Sequence, residues 1–343
     1  MFFVMPYILC FSLPFSVVLG LWLGGPFTFL TLFLGYFILP ILDIFFGKKI
    51  YKGDLSKTKF SDSFFKFLTF AAFPIQIFVL FFCLIYISFF ELTFIEYFGL
   101  VLSAGISSGA FGITAAHELI HQRKFERFLS RLILFTVSYP HFCIEHVHGH
   151  HINVATPQDP ASAKYGQNVY SFFFSSLIGS FKSAWGIEKR RLLRKKIQIY
   201  SLKNIMIQDF FIQLLIIYIV FYFFSFYGLL FFILQSLISI FELEVINYIE
   251  HYGLNRKEIS AGNYEKFSSK HSWNSNHIFS NYSLFNLPLH SDHHKYAGRR
   301  YFQLRHDRDS PQLPYGYSLM VIIALIPVLW KKIMDPVVIR FTE

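Results

Sequence analysis

The chain has 343 residues, 54% hydrophobic and 15% charged, with 46 Phe and a formal net charge of +10. Soluble domains average about 25% charged residues, so this deficit, together with long apolar runs, excludes a soluble globular protein and indicates a polytopic membrane protein. Cys10, Cys83 and Cys143 form no Cys-x-x-Cys pair, which excludes a built-in iron–sulfur or rubredoxin-type centre and a disulfide scaffold.

A helix that crosses ~30 Å of hydrocarbon at ~1.5 Å per residue needs about 20 apolar residues. Spans are expected at 3–23, 26–46, 64–90, 94–116, 205–225 and 228–246. The first lacks a basic leading region and a second apolar run follows at once, so it reads as a span and not as a signal peptide. The third carries Pro74 and should be tilted or kinked. The links at Gly24–Gly25, near Glu91 and near Gly228 hold no Lys or Arg, and all 31 basic residues fall on the other side. The excess of positive charge marks that side as cytoplasmic. The expected fold is an all-α integral membrane protein with six transmembrane helices and both termini inside. Segments 117–204 and 247–343 form a cytoplasmic, histidine-rich di-metal domain. Leu319–Trp330 is too short to span and should lie at the interface or pack on that domain. No repeat or linker divides the chain, so residues 1–343 read as one integrated unit.

The sequence holds 14 histidines, none before His117. Three clusters stand out: His117 and His121 in "HELIHQ"; His146, His150 and His151 in "EHVHGHH"; and His290, His293 and His294 in "HSDHH". Residues i and i+4 share a helix face, so paired imidazoles there reach one metal. His251, in "NYIEHYGL" after the sixth span, is a ninth candidate. Nine imidazoles exceed the four positions of one tetrahedral zinc and suit two metals. Imidazole alone does not name the metal.

These motifs resemble the membrane fatty acid desaturases and hydroxylases, with their HxxxH, Hxx(x)HH and HxxHH boxes. More narrowly the chain is similar to the bacterial alkane 1-monooxygenases, whose distinguishing motif matches Asn247–Leu254. Further matches are Tyr139–His151, "VATPQDPAS" (Val154–Ser162), "SWNSNH" (Ser272–His277) and "RRYFQLRH" (Arg299–His306). Departures fall at Ile120, Gln122, Val147, His148, Pro288 and Leu289, none of them a presumed ligand. The resemblance implies a non-haem di-iron centre of two Fe ions held by His117, His121, His146, His150, His151, His251, His290, His293 and His294. It implies O2 as co-substrate and insertion of one oxygen into the terminal C–H of an alkane. It also implies electrons from rubredoxin, itself reduced by an NAD(P)H-dependent reductase, and a multi-pass place in the bacterial inner membrane.

Metal-bound imidazoles usually pass their second N–H to a carboxylate or carbonyl. Glu118, Glu145, Glu250 and Asp292 adjoin the clusters and are candidates for that role. Glu244 lies inside an apolar run, where an acid is costly and functional by default. Glu244, Asn247 and His251 share one helix face, which should point at the metals. Tyr248 and Tyr252 are expected as interfacial anchors. Phe27, Phe29, Phe33, Phe37 and Trp22 are either channel-lining or lipid-facing. The six basic residues of Lys189–Lys196 suit anionic lipid headgroups or an acidic rubredoxin; no nucleic-acid partner is expected. Competing readings are a related enzyme acting on a methyl-aromatic or fatty acyl substrate, an intramembrane zinc protease using Glu118 as base, and a metal transporter.

Overall fold

The computed structural model describes residues 5–53 and 59–342; the first two residues of the expected span 3–23 lie outside it. The fold is that of an all-α membrane protein. Among the described residues five helices are long and apolar enough to cross a bilayer: α1 (Met5–Leu23), α2 (Gly25–Phe46), α3 (Asp62–Phe89), α4 (Phe94–Ile120) and α8 (Ile205–His251). Between α4 and α8 come α5 (Lys124–Phe135), the short α6 (142–153) and the long α7 (Val169–Arg194). After α8 follow α9 (Ile278–Ser283), α10 (His290–Lys295), α11 (Tyr317–Ala324) and α12 (Pro327–Thr342). One small antiparallel hairpin, β1 (Glu258–Ser260) with β2 (Asn263–Tyr264), interrupts the helical pattern.

α8 accounts for the two last expected spans. It breaks at Ser225, whose φ of 57° and ψ of −165° are not helical. The limbs, 205–224 and 226–251, are about 30 and 39 Å long at ~1.5 Å per residue. They run antiparallel. Asp209 on the first limb pairs with Arg131 just beyond α4, whereas the Tyr227 carbonyl, past the break, accepts from Tyr97 at the start of α4. The turn is therefore at Ser225 and not at Gly228, which is buried against Phe224. In α3 the helical ladder continues through Ala71, whose N–H donates to the Phe67 carbonyl and whose carbonyl accepts from Ile75, although regular helix is interrupted at that residue. Pro74 has no N–H to give the Phe70 carbonyl, so the one bond missing from the ladder falls one turn before the proline.

α4 is the helix the others surround: 83% of its most apolar stretch is buried, against 17% for α8. Its sequence is rich in Gly, Ala and Ser, which lets backbones approach closely. A Cβ on Gly105 would lie 2.5 Å from the Ile238 side chain, and Ser239 donates to the Gly105 carbonyl at 2.9 Å. The three turns without basic residues meet at one end. There Glu96 closes a capping box with Thr93 and also accepts from the Gly25 N–H at 2.8 Å.

The opposite end carries the histidines. Asp43, buried near the end of α2, accepts from the N–H of Phe279 and Ser280 and so caps α9. α11 and α12 contain the apolar run Leu319–Trp330 and pack on the end of α8. Trp330 lies 5.0 Å from the Tyr248 ring and 5.3 Å from that of Tyr252. Both tyrosines are core residues and not interfacial anchors: Tyr248 donates to the Gln167 carbonyl and Tyr252 to Asp335. The phenylalanines lie outside. Phe27, Phe33 and Phe37 are each about half exposed and Trp22 is 74% exposed, as lipid-facing side chains are.

Candidate metal centre

The structure gathers all nine candidate histidines and sorts them into two groups. His117, His121, His146, His151 and His293 form one set; His150, His251, His290 and His294 form the other. In the first, the Nε2 atoms of His121, His146, His151 and His293 follow one another at 3.0, 3.1 and 3.1 Å. In the second, His294 Nε2 lies 3.2 Å from that of His150 and 2.9 Å from that of His290. The sets share a wall, with the rings of His151 and His294 stacked at 4.3 Å.

Local backbone decides which histidine joins which set. His117 and His121 lie one turn apart at the end of α4 and point together. In α6, residues His146–His150 form a π turn. The wider turn brings residues five apart onto one face, so His146 meets His151, while His150, four residues on, turns to the second set. The regular helical spacing expected from the sequence would have paired His146 with His150. In α10, His290 and His294 share a face and His293, between them, reaches the first set.

Burial drives the imidazoles of His146, His151, His290, His293 and His294 well below their usual range, and His121 down to about 3. These rings are neutral near pH 7, and each offers a lone pair. Neutral imidazoles with nitrogens about 3 Å apart can share a proton only pairwise, and the buried Nε2 atoms of His117 and His251 have no partner at all. A cation inside each set satisfies every one of these nitrogens. The donor chemistry thus fits one metal ion in each set.

The second ring nitrogens are held from a distance in sequence. His150 Nδ1 lies 2.9 Å from Asp159, which also accepts from Ser162. Burial by itself lowers an imidazole pKa, but at His150 the Asp159 carboxylate outweighs it and raises the value to about 9. His251 Nδ1 faces the His271 carbonyl at 3.4 Å. Sequence reasoning misses both partners. Asp159 belongs to the motif Val154–Ser162, but it stands nine residues from His150 and beside no histidine.

The acids singled out from the sequence have varied surroundings. Glu250 lies 3.1 Å from His290 Nε2 and accepts from the Tyr317 hydroxyl. Asp292 pairs with Arg299 and accepts from the Arg305 N–H. Glu118 accepts from the Tyr301 N–H. Glu145, whose carboxyl burial raises to about 8, has one oxygen without a partner. Glu244 is fully buried and accepts from Tyr139, Ser176 and Asn247. Of its helix face, His251 joins the second set and Asn247 lines the cavity beside it, whereas Glu244 is turned to Tyr139.

That cavity extends from His117, His146, His290 and Glu250 into the membrane-spanning bundle. Its walls are mainly aliphatic, among them Leu13, Leu39, Ile106 and Ile113, with the hydrogen-bonded pair Tyr36 and Glu242 set into them. None of Trp22, Phe27, Phe29, Phe33 and Phe37 lines it. The shape accepts an apolar chain with one end at the imidazoles.

The sequence profile of the fatty acid desaturase family matches residues 92–323, which contain both histidine sets. Alkane 1-monooxygenase 1 of Pseudomonas aeruginosa is 39% identical over 87% of this chain and 79% of its own length. The alkane 1-monooxygenase of Pseudomonas putida is 35% identical over 96% of this chain and 84% of its own. The chain belongs to the alkane 1-monooxygenase family. A hydroxylase component of a xylene/toluene monooxygenase from Pseudomonas putida is more distant, at 31% identity over 68% of this chain. Family membership removes the zinc protease and the transporter from consideration. The seven further histidines beyond an HExxH pair also stand against the protease.

Proposed function

We propose that the protein is a membrane monooxygenase that hydroxylates the terminal carbon of an n-alkane: RCH3 + O2 + 2 electrons + 2 H+ gives RCH2OH + H2O. The observation that carries this reading is the pair of imidazole sets beside a mainly aliphatic cavity that His117, His146 and His290 help to line. Two iron ions bound there would supply the O2 activation and C–H oxidation that side chains cannot perform.

The residues of the chain do the rest. His117, His121, His146, His151 and His293 hold one ion; His150, His251, His290 and His294 hold the other. Asp159 takes the Nδ1–H of His150 and fixes that ring, and the His271 carbonyl does the same for His251. The cavity walls exclude water and align the chain, so that its methyl end lies beside Glu250 and His290. Glu250, held by Tyr317, is placed to accept or return a proton there.

The substrate enters from the bilayer, in which it dissolves. Six crossings, counting each limb of α8, put the termini and the histidines on the cytoplasmic side of the inner membrane. Electrons then arrive there from rubredoxin, its reductase and NAD(P)H. Lys189–Lys196, at the end of α7, rests on anionic lipid headgroups.

The test supplies the iron-loaded protein with rubredoxin, its reductase, NADH and a panel of n-alkanes, toluene and fatty acids. A 1-alkanol from an n-alkane is expected. Benzyl alcohol alone would transfer the reading to a methyl-aromatic substrate, and unsaturated acids alone would overturn it.

A further inference from the structure

One face of α8 lines the catalytic cavity: Glu242, Leu243, Ile246, Asn247 and Glu250. Glu250 stands at the imidazoles, 3.1 Å from His290. Glu242 precedes it by about two turns, which is about 12 Å along the axis at ~1.5 Å per residue. α4 runs beside this face on the same scale. Its His117 is at the metal end, and Gly109, about two turns earlier, lies so close to Glu242 that any side chain there would collide with the carboxyl. Both helices thus set Glu242 at the same depth, well away from the metals.

At that depth Tyr36 of α2 donates its hydroxyl to Glu242 Oε1 at 2.6 Å. Both residues line the cavity, and both are only partly buried. The wall around them is apolar, with Leu13, Ile106 and Leu243. An acid at membrane depth is costly and marks function by default, yet Glu242 belongs to neither histidine set. The pair presents a donor directly against an acceptor. A hydroxyl group can enter such a bond and leave neither side unpaired, because it accepts from Tyr36 while it donates to Glu242. An ether or ester oxygen only accepts, so it would strip Glu242 of its donor.

We propose that the cavity also takes primary alcohols, with the hydroxyl between Tyr36 and Glu242 and the far methyl beside Glu250 and His290. Tyr36 and Glu242 are then the residues that set this preference. The proposal rests on the terminal hydroxylation proposed above and extends it to a second substrate class: HOCH2–R–CH3 + O2 + 2 electrons + 2 H+ gives HOCH2–R–CH2OH + H2O. The hydroxyl already present is unchanged. A 1-alkanol released from an alkane can therefore return end for end and leave as a diol.

The test reads binding and products separately, with the full iron-loaded chain in detergent. Radiolabelled n-dodecane is displaced by unlabelled 1-alkanols of six to sixteen carbons and by methyl ethers of the same lengths. Free concentrations are set from partition into protein-free micelles. Alcohols long enough to reach from Glu250 to Glu242 should displace roughly tenfold better than the matching ethers, and the shortest alcohols should show no such advantage. Tyr36→Phe and Glu242→Leu should each bring the ratio of alcohol to ether close to one, whereas Glu242→Gln, which keeps an acceptor, should retain most of it. A ratio near one at every length in the natural protein would overturn the proposal, and that series decides even if a variant fails to fold. A ratio unchanged in Tyr36→Phe and Glu242→Leu would overturn it too and leave the pair a tie between α2 and α8. With rubredoxin, its reductase and NADH, the favoured alcohols should give α,ω-diols by mass spectrometry. Alkane hydroxylation without any diol would overturn this proposal and leave the proposed function standing. A preference in binding with no oxidation of any chain would support the alcohol site and overturn the hydroxylation on which its reaction rests.

Discussion

His251 ends an apolar helix with its Nε2 buried and unpartnered, one of four donors in the second set. Replacing it with Ala leaves three imidazoles there and all five in the first set. Metal analysis of His251→Ala should find about half the metal of the natural protein, and hydroxylation should be lost; full metal content would remove His251 from the ligand set. Asp159 acts through another residue, since it touches His150 and no cavity-lining atom. Changing an outer partner of this kind typically costs about 10–100-fold in metal affinity. Asp159→Ala should show that loss in a chelator competition, confined to one of the two ions; unchanged affinity for both would leave Asp159 a loop-holding residue. The two cases differ in legibility. The nine histidines stand out in sequence because clusters of a rare, metal-binding residue repeat at helical spacing. Asp159 does not, because its partner is supplied by a loop whose path the sequence does not reveal. The acids next to histidines draw attention, yet neighbours in a helix point ~100° apart. Of these, Glu250 reaches an imidazole only because α10 comes to it from 40 residues on.

Two of the departures from regular helix decide where chemistry and topology fall. The π turn at His146–His150 is what divides His150 from His151. Ser225 is the other departure. Its backbone occupies a region (φ 57°, ψ −165°) that is nearly the preserve of glycine and costs a residue with a side chain on the order of 1–3 kcal/mol. Ser225→Gly relieves that cost and should raise the thermal unfolding midpoint in detergent, and Ser225→Val should lower it. If both variants unfold with the natural protein, the turn stores no strain. The sequence makes the two spans of α8 visible from length and hydropathy, but it misplaces their turn. Gly228 is the residue that looks like a turn, yet its missing side chain makes room for Phe224, and the reversal itself falls on a serine.

At the scale of the whole molecule, charge and chemistry divide the protein in the same way. The turns without Lys or Arg meet around Glu96 and Tyr227, and the histidine sets lie at the other end of the bundle with the basic residues. This polarity is legible in composition and charge alone, because the cost of burying charge in hydrocarbon acts on every span alike. The cavity is not legible there. Its walls combine residues of α1, α2, α4, α8 and α11, most of which read in isolation as one more apolar side chain, and Trp22, Phe27, Phe33 and Phe37 lie on the outside. The polarity leads to a direct test of orientation. Glu91 is exposed in the turn between α3 and α4, and Ser260 is exposed in the hairpin on the histidine side. The native Cys10 and Cys83 are buried and Cys143 is half-buried, so background labelling is low. A membrane-impermeant maleimide added to intact cells should label Glu91→Cys and leave Ser260→Cys untouched, and inside-out vesicles should reverse the pattern. The opposite result would put the histidines outside, where a cytoplasmic electron donor has no access, and the proposed route of electrons would fail with it.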